Sequence, residues 1–346
     1  MLHHTSETVI RQMAVHKTGN QNTEELPVLS DSTISLPPDL EELLLLYFLK
    51  PFKSDLLYHF DLEENPDNKV YRLVSDIFEN PDKLLEHSKE LVKYLFEQST
   101  HPQIRNGEFF AVYFTDCDFK GENREAIGLF KSENKDTFLK IETVGEDLAI
   151  KSENGISINK LDKGCLIFNI DKDNGYQIEI IDNTNRNTEA QYWTESFLHI
   201  CQKRDEYFHT QQVMSMCKDY ITKELPQEFE VNKADQIDLL NRSVKFFKDN
   251  DSFDLGEFTE EVLTQPEVID SFTSYKKNYE QEKEIEIADR FTISDNAIKK
   301  QTRVFKSVIK LDKNFHIYVH GNRELIEQGT DDKGRKFYKI FYQEEN

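Results

Sequence analysis

The feature that most constrains this chain is a change of hydrophobic period at Gly107. From there to Asp182 apolar residues recur at every second position, and turn residues punctuate the run every eight to twelve positions. Period two places alternate side chains on opposite faces of a sheet, so the segment is expected to form an antiparallel β-meander. Strands are expected at 109–115, 126–132, 137–143, 147–151, 155–159, 164–170 and 176–181. Lys120-Gly121, Glu133-Asn134, Glu153-Asn154 and Asp173-Asn174-Gly175 supply the turns, because these residues tolerate the left-handed conformations that tight turns need.

Helical periodicity flanks the meander. On the N-terminal side a strand is expected at 8–16. After Pro37-Pro38 a helix follows at 39–49, capped by Asp39, with Leu40, Leu43, Leu44 and Tyr47 on its apolar face. Asn80 and Pro81 open a second helix as N-cap and first helical residue, with Leu84, Leu85, Leu91, Val92, Leu95 and Phe96 in period. On the C-terminal side helices are expected near 189–202, 204–223, 233–248, 255–263 and 267–279, and Trp193 is expected in the core of that helical module. The segment 314–321 and a last hairpin at 324–328 and 336–342 return to strand. The chain is therefore expected to be α+β: N-terminal helices packed on an antiparallel meander (1–185), a helical middle module (186–289) and a small β-rich C-terminal module (290–346). A length of 346 residues suits two or three domains, and 25 Phe with 14 Tyr provide large side chains for burial.

Several classes are excluded or disfavoured. The longest apolar run, 43–49, is far short of the roughly 20 residues a membrane span needs. No membrane association is expected. The first residues lack the basic and apolar regions of a signal peptide, and Cys117, Cys165, Cys201 and Cys217 form no C-x-x-C pair, so reduced thiols and a cytoplasmic location are expected. There is no P-loop, dinucleotide fingerprint, nucleophile elbow or H-E-x-x-H motif, and no nucleophile has a recognisable base partner. Neither cofactor, metal nor catalytic residue is expected.

Charge carries the functional signal. The net charge of −22 disfavours attraction of the whole molecule to phosphate. Residues 1–296 hold 32 basic and 58 acidic side chains, whereas 297–346 hold 11 and 7. Within that C-terminal stretch Lys299, Lys300, Arg303, Lys306, Lys310 and Lys313 are the candidate nucleic-acid-binding residues. Lys299, Arg303, Lys306, Lys310 and Lys313 recur at helical spacing, so one continuous helix would present them as a cationic stripe able to follow phosphates. A strand beginning near Val304 would instead split them between faces. A solvated basic face that neutralises the neighbouring acidic body is the bland alternative. His316 and His320 lie four apart on one strand, roughly 13 Å from each other, too far to chelate one ion. An enzymatic alternative rests on Asp116 or Asp118 followed by Glu133-Asn134-Lys135, the D…E-x-K form of a metal-dependent nuclease. Its signal is weak, since 65 acidic and 43 basic residues generate such spacings by chance.

Three residue runs carry a family resemblance: Ala14-Val15-His16-Lys17-Thr18-Gly19-Asn20, Ala126-Ile127-Gly128-Leu129-Phe130-Lys131-Ser132-Glu133-Asn134-Lys135-Asp136, and Ile293-Ser294-Asp295-Asn296 through Phe315-His316-Ile317-Tyr318-Val319-His320-Gly321. They resemble the bacterial nucleoid-associated protein family typified by YejK, also called NdpA, in its Bacteroidetes-type form, over about residues 8–342. The resemblance implies a non-enzymatic protein at the nucleoid that contacts DNA directly or through a DNA-bound partner, with a type II topoisomerase as the partner in enterobacterial relatives. It brings no catalytic motif and no oligomeric state. A protein-only adaptor with an acidic docking surface is the leading alternative, and the nuclease a third.

Overall fold

The computed structural model describes residues 7–53, 56–101, 104–184, 192–303, 305, 308–312, 314–319 and 323–344. It contains two compact units, Met1–Lys203 and Arg204–Asn346.

The first unit contains β1 (Val9–Lys17), α1 (Pro38–Leu49), β2 (Tyr58–Phe60), α2 (Lys69–Glu79), α3 (Leu84–Gln98), β3 (Glu108–Phe119), β4 (Glu122–Ser132), β5 (Asp136–Val144), β6 (Asp147–Gly155), β7 (Lys163–Phe168), β8 (Gln177–Asp182) and β9 (Ile200–Gln202). Seven of these strands form one sheet in the order β1-β3-β4-β7-β8-β2-β9, antiparallel throughout. Its central strands are buried on both faces. Phe109, Ala111 and Tyr113 of β3 point into one core with Trp193 and the apolar stripes of α2 and α3, while Phe110, Val112 and Phe114 point into another beneath α1. Phe48 of α1 stacks on Phe130 of β4 with centroids 4.3 Å apart. Gly175 turns the chain at φ +87, and a Cβ there would collide with the Phe60 carbonyl, so only glycine fits.

Four local expectations need correction. The strand expected at 147–151 runs on to Gly155 as β6, because Glu153 and Asn154 continue the ladder opposite Phe138 and Thr137 instead of turning, and the strand expected at 155–159 does not form beyond Gly155. Helix α1 is capped by Pro37 with Pro38 at its first position, and Asp39 lies inside it. Its buried face is Leu45, Tyr47, Phe48 and Leu49, whereas Leu40 and Leu43 are exposed. A run of five leucines and aromatics leaves the helical phase undetermined until the sheet chooses a side. Trp193 sits in a π-helical turn, Tyr192–Leu198, and packs in the core of the first unit, not among the later helices.

Strands β5 and β6 leave the large sheet between β4 and β7 and pair only with each other, nine residues against nine. The two-residue turn between them has Gly145 at φ +68, the conformation that joins strands of native twist.

The second unit contains α4 (Glu206–Asp219), α5 (Leu225–Glu228), α6 (Lys233–Asp249), β10 (Ser252–Asp254), α7 (Leu255–Phe258), α8 (Pro266–Lys283), β11 (Arg290–Thr292), α9 (Asp295–Thr302), β12 (Val308–Leu311), β13 (Phe315–Tyr318), β14 (Ile326–Thr330) and β15 (Lys336–Ile340). Its core is aromatic: Phe246, Phe247, Phe253, Phe258, Phe272 and Tyr220 are all buried. Asn232 and Asp235 form a reciprocal capping box at the start of α6. A smaller cluster joins Ala234 and Ile237 of α6 to Ile309, Val319 and Ile326 from the C-terminal hairpins. Among the described residues no helix is long and apolar enough to cross a membrane.

Candidate nucleic-acid interface

Helix α9 starts at Ser294, whose hydroxyl accepts from the Ala297 amide. Ala297 and Ile298 are its buried residues. That phase turns Lys299, Lys300 and Arg303 outward, and all three are exposed. The helix ends at Thr302, whose hydroxyl donates back to the Ile298 carbonyl at 2.7 Å. Cations in the last turn lie beside unpaired carbonyls, a favourable placement that needs no ligand. The helix is thus too short to carry the whole cationic stripe. Lys310 lies instead on β12, so the basic residues are divided between a helix end and a hairpin, the second of the two arrangements the sequence allows. Lys306 and Lys313 lie outside the described residues.

In the β12–β13 ladder Lys310 is opposite His316 and Val308 is opposite Tyr318. These four side chains share one face, on which Lys310, His316 and Tyr318 are exposed. The other face carries Ile309, Leu311 and Ile317, which pack with Ala234 and Ile237. The register is therefore fixed by the apolar side, and the cation, imidazole and phenol are left in water. His320 lies outside the described residues.

Partnering separates these cations from three of their neighbours, though not from Lys333 and Lys336, which are exposed and also lack a carboxylate at ion-pair distance among the described residues. Arg323 is held by Asp235 at 2.7 Å, Arg335 by Asp331 at 2.7 Å and Lys339 by Glu327 at 3.2 Å. Lys299, Lys300, Arg303 and Lys310 have no carboxylate at ion-pair distance among the described residues. Sequence reasoning did not single out the aromatic component of the same hairpins. Tyr318 is 67% exposed and Tyr342 69%, and Phe315, Phe337 and Phe341 are also open to solvent. The signal was the run Lys336-Phe337-Tyr338-Lys339-Ile340-Phe341-Tyr342, but alternation does not say which face is covered. Unpaired cations supply phosphate attraction for either form of nucleic acid, and exposed rings supply stacking platforms for unpaired bases.

The nuclease constellation does not assemble. In the β3–β4 ladder Glu108 pairs with Ser132 and Phe119 with Glu122, so Glu133 lies at the opposite end of β3 from Asp116 and Asp118. Eight to ten strand residues separate them, on the order of 26–33 Å. Lys135 is paired with Glu108. The Glu133 side chain is 5% exposed, with its carboxylate 2.7 Å from Lys131 Nζ and accepting from the Tyr192 hydroxyl at 3.0 Å. Among the described residues no group of three or more His, Cys, Asp or Glu side chains is placed to hold a metal ion.

These observations describe an α+β chain whose C-terminal hairpins, with the helix before them, carry exposed rings and cations without a carboxylate at ion-pair distance among the described residues. The family model for the nucleoid-associated protein YejK matches residues 14–336, and the chain belongs to that family of nucleoid-associated proteins. A comparison with curated proteins finds no match. Membership supports a nucleoid-associated role.

Proposed function

We propose that this protein contacts DNA directly, without catalysing a reaction, through Lys299, Lys300 and Arg303 at the end of α9 and the Lys310–His316–Tyr318 face of the β12–β13 hairpin. The observation that carries the reading is the combination of exposure and lack of partners. Four cations stand in water without a carboxylate at ion-pair distance among the described residues, in a C-terminal stretch, 297–346, that holds 11 basic and 7 acidic residues. Lys306 and Lys313 extend the same stretch and belong to the proposed surface on charge alone. Non-specific, salt-sensitive binding is the expected mode, since phosphate contacts carry no sequence information.

A gel-shift assay with a short duplex at low salt tests this. Charge reversal at Lys299, Lys300 and Arg303 is expected to abolish the shift while leaving circular dichroism unchanged. An unchanged shift rejects the surface. The acidic character of residues 1–296 favours a second reading, in which that part docks on a basic protein, with a type II topoisomerase the partner the family resemblance suggests. Under that reading alone no shift appears at low salt, and binding appears only when the partner is added.

A further inference from the structure

The β5–β6 hairpin is unlike the rest of the first unit. It stands as a two-stranded ribbon, and a ribbon of two strands is at best marginally stable in water unless something covers it. Its two faces differ sharply in chemistry. One bears Lys140, Glu142, Lys151 and Glu153, tied together by ion pairs of 2.7–3.3 Å. The other bears Thr137, Leu139, Ile141 and Thr143 opposite Asn154, Ser152, Ile150 and Leu148, with no charged residue. On that uncharged face Leu139 is 76% exposed, Leu148 73%, Ile150 70% and Ile141 65%.

A second feature lies at the base of the ribbon. A cavity of about 230 Å³ is lined by Leu43 and Leu46 of α1, by Ile158 and Leu161 just after β6, and by Lys50, Lys53 and Lys160. Leu43, Leu46 and Ile158 are exposed there. None of the three lysines has a carboxylate at ion-pair distance among the described residues. The tip of the ribbon is the chemical complement: Val144 and Leu148 flank Glu146 and Asp147, which likewise lack a cation at ion-pair distance among the described residues.

We propose that the uncharged face is covered by the same face of a second copy of this chain, with the two ribbons antiparallel about a twofold axis. Three features favour a second copy as the occupant. The chain carries a net charge of −22, and this face is one on which two acidic molecules meet without like-charge contact. Nine-residue strands make a ribbon roughly 30 Å long, so the tip of one copy reaches the base of the other, bringing Glu146 and Asp147 to Lys50, Lys53 and Lys160. A chain's own tip, at the far end of its own ribbon, does not reach that cavity. Stable interfaces bury about 1,200 Å² or more in total, and the tip contacts add to the area that the two uncharged faces cover. The twofold arrangement is closed, so it yields a dimer and not a fibre.

Sedimentation equilibrium of the full chain between about 1 and 100 μM tests the proposal, with a concentration-dependent dimer expected. Ile141→Lys combined with Ile150→Glu keeps a complementary cross-strand pair within the ribbon but buries both charges in the dimer. It is expected to raise the dimer dissociation constant by about 100-fold or more. Reversing the tip, Glu146→Lys with Asp147→Lys, is expected to weaken the dimer about tenfold, and adding Lys50→Glu with Lys53→Glu to restore it. A chain that stays monomeric throughout, or a dimer indifferent to the Ile141/Ile150 change, overturns the proposal. Failure of the charge swap to restore association overturns the antiparallel geometry.

Discussion

Glu133→Gln isolates the role of a residue that sequence reasoning weighed as a metal ligand. The substitution keeps the shape and hydrogen-bonding reach of the side chain and removes only its charge. Lys131, whose side chain is 1% exposed, then keeps the Arg105 carbonyl at 2.6 Å and the Tyr192 hydroxyl at 3.1 Å but has lost its counter-ion at 2.7 Å. Stripping one partner from a buried ion pair costs about 3–5 kcal/mol, since the remaining charge stays desolvated. Burial already lowers the Lys131 pKa, and the Glu133 carboxylate opposes that shift, so removing it lowers the pKa further. The unfolded chain then binds a proton that the folded one sheds. The deficit is complete below the folded pKa and shrinks as pH rises toward the ordinary lysine value. Trp193, the only tryptophan and part of the first unit's core, reports the unfolding of that unit by fluorescence in urea. The variant is expected to lose about 3–5 kcal/mol at neutral pH and less at about pH 10. Lys131→Met with Glu133→Leu is expected to recover most of the loss, because an apolar pair has no charge to desolvate. A single-variant loss below about 1 kcal/mol with no pH trend refutes the reasoning.

Other expectations follow from single sites. His16 is held neutral: its Nδ1 accepts from the Ser30 amide, its Nε2 meets the Ser88 hydroxyl at 2.8 Å, and burial followed by the charge of Lys89 lowers its pKa to about 4. Because the unfolded imidazole takes a proton near 6.5 and the folded one only near 4, stability falls as pH drops through that window, by about 3 kcal/mol in all. Urea midpoints measured across the window check this, and a slope no steeper than that of His16→Gln contradicts it. Burial pushes the Cys117 thiol up to about 12 and the Cys165 and Cys217 thiols well above the ordinary value. Half-buried Cys201, whose sulfur lies 3.3 Å from His59, is therefore expected to react first with a thiol reagent in the native chain, as peptide mapping would show. Phe48→Ala removes a ring stacked on Phe130 in a fully buried site and is expected to cost about 3–5 kcal/mol by urea titration, with a loss under about 1 kcal/mol contradicting the assigned packing.

Much of the fold was legible because period and punctuation coincide with the elements that carry them. The strands 109–115, 126–132, 164–170 and 176–181 lie within or overlap β3, β4, β7 and β8, since their alternating faces feed two separate cores. Asn80-Pro81 opens the turn leading into α3 because a capping amide and a residue without an N–H satisfy a helix start locally. What escaped was decided non-locally. The phase of α1 depends on which leucines the sheet accepts, and Trp193 carries no mark of the core it joins. Helix α2 was not expected, although Val70, Leu73, Val74 and Ile77 keep its period, because charged and polar residues dilute the run. In the interface the identity of the cations was visible and their arrangement was not. Which face of α9 turns outward is set by the burial of Ala297 and Ile298, and the covered face of β12–β13 by Ala234 and Ile237, some seventy positions earlier.

The central claim, direct DNA contact by the C-terminal cations, is tested most directly by the salt dependence of duplex affinity, followed by fluorescence anisotropy. Each phosphate contact contributes about −0.9 to the slope of log affinity against log salt, so a fourfold rise in salt weakens binding roughly 3.5-fold per contact. Replacing Lys299, Lys300, Arg303 and Lys310 by Gln is expected to make the slope shallower by about 3.6 while the circular dichroism of the chain stays native. A wild-type chain that binds with the same slope as this variant, or fails to bind at low salt, contradicts the account.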